Sequence, residues 1–320
     1  MDSKSDKRIR TRRKVRDFKK NLPLLGMALP GMVFLFLFSY LPMGGIVLAF
    51  KNLTFGRKTF FENFMKSDWV GLKNFQYLFS SPDCLLIIRN TLLYNLAFII
   101  LGTCLSIFIA IALNELLSKR LSKFYQNVIL LPYFLSWVVF SYLFYAFLSI
   151  DHGILNRSIL PLFGTQPIAW YSEPKYWPGF IVFANLLKYT GYNSVVYLAA
   201  LTGIDQELYE VAALDGAGKW DQIRHITIPL LMNVVIIMTI FSIGRIFSSD
   251  FGLFYQLPMQ SGQLIGVTNT IDTYVYRGLI NNGDFAISTA TGMMQSVVGF
   301  GLVLITNAVV RKIDKEKAMF

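Results

Sequence analysis

Apolar residues in this chain come in long continuous runs, without the alternation of a half-buried strand or the one-sided stripe of a surface helix. Six runs, at roughly 24–50, 85–113, 124–150, 177–203, 230–249 and 286–310, reach the ~20 helical residues that cross a hydrocarbon core. The pattern therefore predicts an all-α polytopic membrane protein with six transmembrane helices. Pro23, Pro30, Pro42 and the Gly44-Gly45 pair punctuate the first run, and membrane helices tolerate such bends where neighbours satisfy the freed backbone groups. The fifth run is the shortest and carries Arg245. Residues 1–22 read as a basic cytoplasmic tail, 23–84 as the first helix and an external segment, 85–310 as the transmembrane core, and 311–320 as a cytoplasmic tail. The connecting segments expected outside, such as Asp151-His152-Gly153 and Trp170-Tyr171-Ser172-Glu173-Pro174, have turn residues and interfacial aromatics.

Composition supports the same reading. Hydrophobic residues make up 54% of the 320 and charged residues 15%, against about 25% charged in an ordinary soluble chain. With 28 Phe and a mean hydropathy of +0.49, a soluble fold of this size could not hide its apolar surface. Disorder, a disulfide scaffold and a coiled coil are excluded on the same numbers. The net charge of +11 is concentrated: residues 1–20 hold ten Lys/Arg and three Asp, a net +7, leaving +4 for the remaining 300. That placement argues for retention of the N-terminus in the cytoplasm, and against nucleic acid as a partner. The first apolar run outlasts a signal-peptide core and lacks a small-residue cleavage site.

Charge also orients the helices. With the N-terminus inside, the inner segments carry 10, 3, 2 and 4 Lys/Arg, or 19, and the outer ones 5, 2 and 1, or 8; Arg89, Lys188 and Arg245 lie within the runs. The excess places both termini in the cytoplasm. Cys84 and Cys104 are 20 residues apart, about 30 Å along one helix, too far for a disulfide. Neither they nor His152 and His225 have metal-ligand spacing, so no metal site is expected.

The inner loop at 205–229 does not read as a tether. Its 25 residues hold five acidic groups against two basic ones. Glu207 to Leu214 forms one helical piece, Gly216-Ala217-Gly218 a turn and Trp220 to Ile226 a second piece, with Pro229 opening the fifth span. The small residues Ala212, Ala213 and Gly216 would let another surface approach the backbone, which predicts a cytoplasmic docking element. An interfacial hairpin without a partner is the alternative.

Glu210-Val211-Ala212, three residues, Gly216, nine residues and Ile226-Thr227-Ile228-Pro229 resemble the cytoplasmic loop of binding-protein-dependent ABC importer permeases. That motif reads Glu-Ala-Ala, three residues, Gly, nine residues, Ile-x-Leu-Pro. Val211 and Ile228 depart mildly from it. Residues 40–51, 70–75, 89–91, 131–137 and 197–205 are similar to the carbohydrate branch, especially its oligo- and polysaccharide permeases. The resemblance implies a coupling helix between the fourth and fifth spans that enters a cleft on an ATPase subunit, with Glu210, Ala213, Asp215 and Gly216 as its contacts. It further implies a second, related permease in a heterodimer, two ATPase subunits, an external solute-binding protein and residence in the bacterial plasma membrane. No Gly-x4-Gly-Lys-Ser/Thr occurs, so ATP and Mg are expected on the partner ATPase, with no cofactor and no enzymatic activity in this chain.

Charges inside the runs are candidates for the transport pathway. Lys188 lies mid-span, and its neighbours Ala184, Asn185, Gly191 and Tyr192 make a small, polar face, with Tyr189 and Asn193 close by. Its ammonium either lines the pathway or is a structural cation paired with a carboxylate or helix-end carbonyls. Tyr133, Phe134 and Trp137 either stack on sugar faces or pack between helices. Arg245 and Asp250, five apart, are poorly spaced for a pair within one helix, and each is expected to find a structural partner elsewhere. Arg89 can snorkel to the outer boundary. A self-sufficient ion-coupled transporter would need intramembrane carboxylates, and Asp250 is the only candidate; no inverted repeat is visible either. A non-carbohydrate solute remains open. A membrane enzyme would need a catalytic constellation that these residues do not supply.

Overall fold

The computed structural model describes residues 21–53 and 59–313. They fold into helices α1 (Asn21–Phe50), α2 (Phe60–Lys66), α3 (Lys73–Ser80), α4 (Pro82–Asn114), α5 (Lys119–Phe134), α6 (Trp137–Leu148), α7 (Trp177–Thr202), α8 (Gln206–Leu214), α9 (Lys219–Gly244), α10 (Phe251–Gln256), α11 (Ile271–Asn282) and α12 (Phe285–Ile313). A two-residue antiparallel pair, Lys51–Asn52 with Asp68–Trp69, closes the segment after α1. Among the described residues α1, α4, α9 and α12 are each long and apolar enough to cross a membrane, and α5 with α6 would make a fifth if they are one span. The 26-residue α7 is about 39 Å long at 1.5 Å per residue and packs along α4.

Three expectations change. The run at 124–150 is not one helix: α5 and α6 meet at 99°. Pro132 lies in the last turn of α5, and Leu135 and Ser136 take extended backbone. The Ser136 hydroxyl accepts the Val139 N–H at 3.3 Å, so a capping residue starts a new helix where hydropathy alone saw continuity.

The fifth run begins earlier and ends earlier than 230–249. α9 starts at Lys219, and the second piece of the inner loop continues directly into the span. Pro229 therefore lies inside a continuous helix. It has no N–H to offer the preceding turn, and residues Ile223–Thr227 just before it wind as a π-helix, a loosened turn that accommodates such a break. Helical geometry then stops at Gly244, and α10 follows after an irregular stretch.

The third change concerns 250–285, expected as an outer connection. α10 and the chain beyond it fold back into the bundle: Leu253, Phe254, Leu257 and Leu264 are fully buried and pack with Tyr94, Trp177 and Ile181 of α4 and α7. α11 then lies against α12. By contrast α1 is almost wholly exposed, with Leu24, Met27, Phe34 and Phe38 all uncovered.

Candidate functional site

A polar cavity of about 580 Å³ lies between α4, α7, α9 and the irregular stretch after α9. Its polar lining follows helical spacing on each wall. α7 contributes Asn185, Tyr189 and Asn193, four residues apart, and α4 contributes Asn95, Thr103 and Ser106. Ser242, Arg245, Ser248 and Asp250 complete it. Asn95 is thirteen residues from the start of α4 and nineteen from its end, about 20 and 28 Å at 1.5 Å per residue. The cavity thus opens at mid-depth of the helix bundle.

Irregular backbone at that depth needs protein partners for its polar groups, and it has them. The Asn95 amide donates to the carbonyls of Ile246 (2.9 Å) and Ser248 (3.2 Å). Gln295 of α12 donates to the Phe247 carbonyl at 2.8 Å. Asp272 of α11 accepts the Ser249 N–H at 2.6 Å and its hydroxyl at 2.7 Å. Asp250 caps α10 by accepting the Leu253 N–H at 3.3 Å, while its other oxygen accepts from Trp137 Nε1 at 2.8 Å and from the Tyr189 hydroxyl. A Cβ built on Gly252 would come within 2.1 Å of the Trp137 ring, so the glycine is what lets this indole reach Asp250.

The residues singled out in the sequence divide between two places. Tyr189 and Asn193 line the cavity. Lys188, Tyr133 and Trp137 gather beside it, at the α5–α6 break. The buried Lys188 ammonium donates to the carbonyls of Pro132 (3.4 Å), Tyr133 (3.1 Å) and Leu135 and lies 5.1 Å from the Trp137 ring centroid. The Tyr133 ring stacks on Tyr192 at 4.3 Å. Sequence reasoning passed over Asn95, Thr103 and Ser106, whose signal was their recurrence on one face of an apolar helix.

The second candidate surface is α8 with the turn after it. Asp205 caps α8 by accepting the Glu207 N–H at 3.0 Å, and Gly216 turns the chain at φ +83°, a conformation that L side chains resist. Glu210, Ala213, Asp215 and Gly216 are all exposed. So are Val211, Leu214 (88%) and Trp220 (72%). Behind that face, Tyr209 holds the start of α9 through its hydroxyl to Thr227 (3.1 Å) and its carbonyl to Gln222 (3.4 Å). The Lys219 ammonium meets Glu115, at the end of α4, at 3.0 Å.

Residues 102–315 match the family of binding-protein-dependent transport system inner membrane components. The chain belongs to that family. Among its relatives in Bacillus subtilis (strain 168), protein LplB is 33% identical over 93% of this chain and 91% of its own length. The polygalacturonan/rhamnogalacturonan transport system permease protein YteP is 34% identical over 91% and 88%. The fold matches a chain of a bacterial ABC transporter for import of the acidic polysaccharide alginate, with a TM-score of 0.84 and 30% identity over 94% of this chain and 99% of that one. A second structure of an alginate transporter, in complex with an alginate pentasaccharide-bound periplasmic protein, matches at 0.82. This permease is therefore a multi-pass membrane protein of an importer and not an enzyme.

Proposed function

We propose that this permease imports oligosaccharides or polysaccharide-derived sugars as half of the translocation pathway of an ATP-driven importer in the bacterial plasma membrane. The observation that carries the reading is the mid-depth cavity, whose amides and hydroxyls suit sugar hydroxyls, joined through α9 to an exposed helix at the bundle's end. In this reading the chain crosses six times with both termini in the cytoplasm, α5 and α6 forming one broken crossing. Tyr189 and Asn193 bind solute, and Lys188, Tyr133 and Trp137 hold the pathway wall. Glu210, Ala213, Asp215 and Gly216 of the α8 region contact an ATPase subunit. A second, related permease completes the pathway, two ATPase subunits bind ATP and Mg, and an external binding protein delivers solute. ATP-driven closure of the ATPases moves α8, and its hydrogen bonds to α9 pass that motion to the cavity wall.

The test is uptake of radiolabelled oligosaccharides by proteoliposomes holding the complete complex and its binding protein. Uptake with ATP, and none with a non-hydrolysable analogue, is expected. Uptake without ATP, driven by a proton or sodium gradient, would contradict the ATP-driven mechanism.

A further inference from the structure

Two of the cavity's lining residues carry charge, Arg245 and Asp250, and they are not a pair. Asp250 is occupied by Trp137, Tyr189 and the Leu253 N–H. The Lys188 ammonium lies 5.1 Å from the centroid of the same Trp137 ring. Lys188 is itself occupied by three carbonyls. Arg245, one residue past the end of α9, is exposed, and among the described residues no carboxylate lies within 4.0 Å of its guanidinium. Arg245 thus lines the cavity without an ion-pair partner among the described residues, in a region where an ionisable group requires a counter-charge or water.

We propose that Arg245 reads a carboxylate on the solute, so that the cavity takes acidic, uronic-acid-bearing saccharides. The proposal rests on the carbohydrate reading above. A guanidinium presents parallel N–H groups that match a carboxylate in a bidentate pair. The surrounding groups supply the rest of such a ligand's needs: Asn185 and Asn193 offer amides to ring hydroxyls, and Tyr189 and Phe251 offer aromatic surface. Its place at the end of α9 ties the charge to the element that α8 moves. Rotation of α9 would change the distance between the guanidinium and a bound carboxylate, letting the pathway release an anion it had attracted.

The experiment compares tritiated trigalacturonate with tritiated maltotriose in proteoliposomes of the complete complex. Each probe is read as the ratio of variant to wild-type uptake, which cancels the binding protein's own preference. Arg245→Gln is expected to lower trigalacturonate uptake at least tenfold and maltotriose uptake less than twofold, with Arg245→Lys intermediate for the acidic probe. Co-purification of the other subunits monitors assembly. Equal losses for the two probes, or wild-type uptake of maltotriose alone, would overturn the assignment while leaving carbohydrate import standing. Loss of assembly in Arg245→Gln, restored by lysine without a preference for the acidic probe, would also overturn it and make Arg245 a partner of the second permease. Wild-type uptake of neither sugar would defeat the carbohydrate reading and this proposal with it.

Discussion

Lys188 shows what a single residue can and cannot announce. Its place in an apolar run marks it as a group that needs a partner, but the two fates open to it differ only in what that partner is. The partners are carbonyls freed by the α5–α6 break, 53 to 56 positions away in the chain, and no local pattern points to them. Cations favour helix C-termini, where the last carbonyls lack intrahelical donors. Here one ammonium serves the end of α5 from a neighbouring helix. Lys188→Met keeps much of the length and leaves those carbonyls unpartnered, at about 1–3 kcal/mol for an unsatisfied buried polar group. The purified complex should unfold at lower temperature, with transport falling in parallel. A fall in transport with unaltered thermal unfolding would instead place the ammonium in the pathway.

At the scale of elements, hydropathy located α1, α4, α7 and α12 to within three residues at each end, because burial in lipid or protein demands apolar side chains whatever the tertiary arrangement. It missed where helices break. The 99° bend after Phe134 and the end of α9 at Gly244 are set by capping, by Pro132 and by tertiary hydrogen bonds to the irregular backbone. A hydropathy window averages over all of these. The cavity was half legible for a related reason: the α7 stripe surrounds a conspicuous lysine, whereas Asn95, Thr103 and Ser106 are uncharged and scattered among Leu, Ile and Phe. The α8 element was legible because its acidity and small residues contradict what a tether needs. Its turn permits a sharp test, since a Cβ on Gly216 would meet nothing within 4 Å in this chain. Gly216→Trp and Gly216→Ala share the same backbone strain, about 1–2 kcal/mol for φ > 0, but only the tryptophan adds bulk at the exposed face. The tryptophan variant should hydrolyse ATP with transport reduced at least tenfold, and the alanine variant should retain most transport. Equal behaviour would mean that no partner surface closes over the turn.

For the molecule as a whole, the bend between α5 and α6 makes the number of crossings the deciding quantity. If the pair crosses as one broken span, six crossings place residues 151–176 outside and 205–229 inside. If it enters and returns on the same face, those two segments exchange sides and the termini separate. The Lys/Arg excess of 19 over 8 across the six-span map favours the first arrangement. So does the proposed docking of α8 on an ATPase subunit, which requires the cytoplasm. Thr165 and Gly218 are both exposed and report on the two segments. The chain's own Cys84 and Cys104 would be replaced by alanine, and a single cysteine placed at either position in intact cells and in inside-out vesicles. An impermeant maleimide should label position 165 in cells alone and position 218 in inverted vesicles alone. The reverse pattern would make α5–α6 a re-entrant pair and put α8 outside, where it could not couple to ATP. Labelling of both positions from one face would require that α7 not cross, although its about 39 Å length and its packing along α4 suit a span.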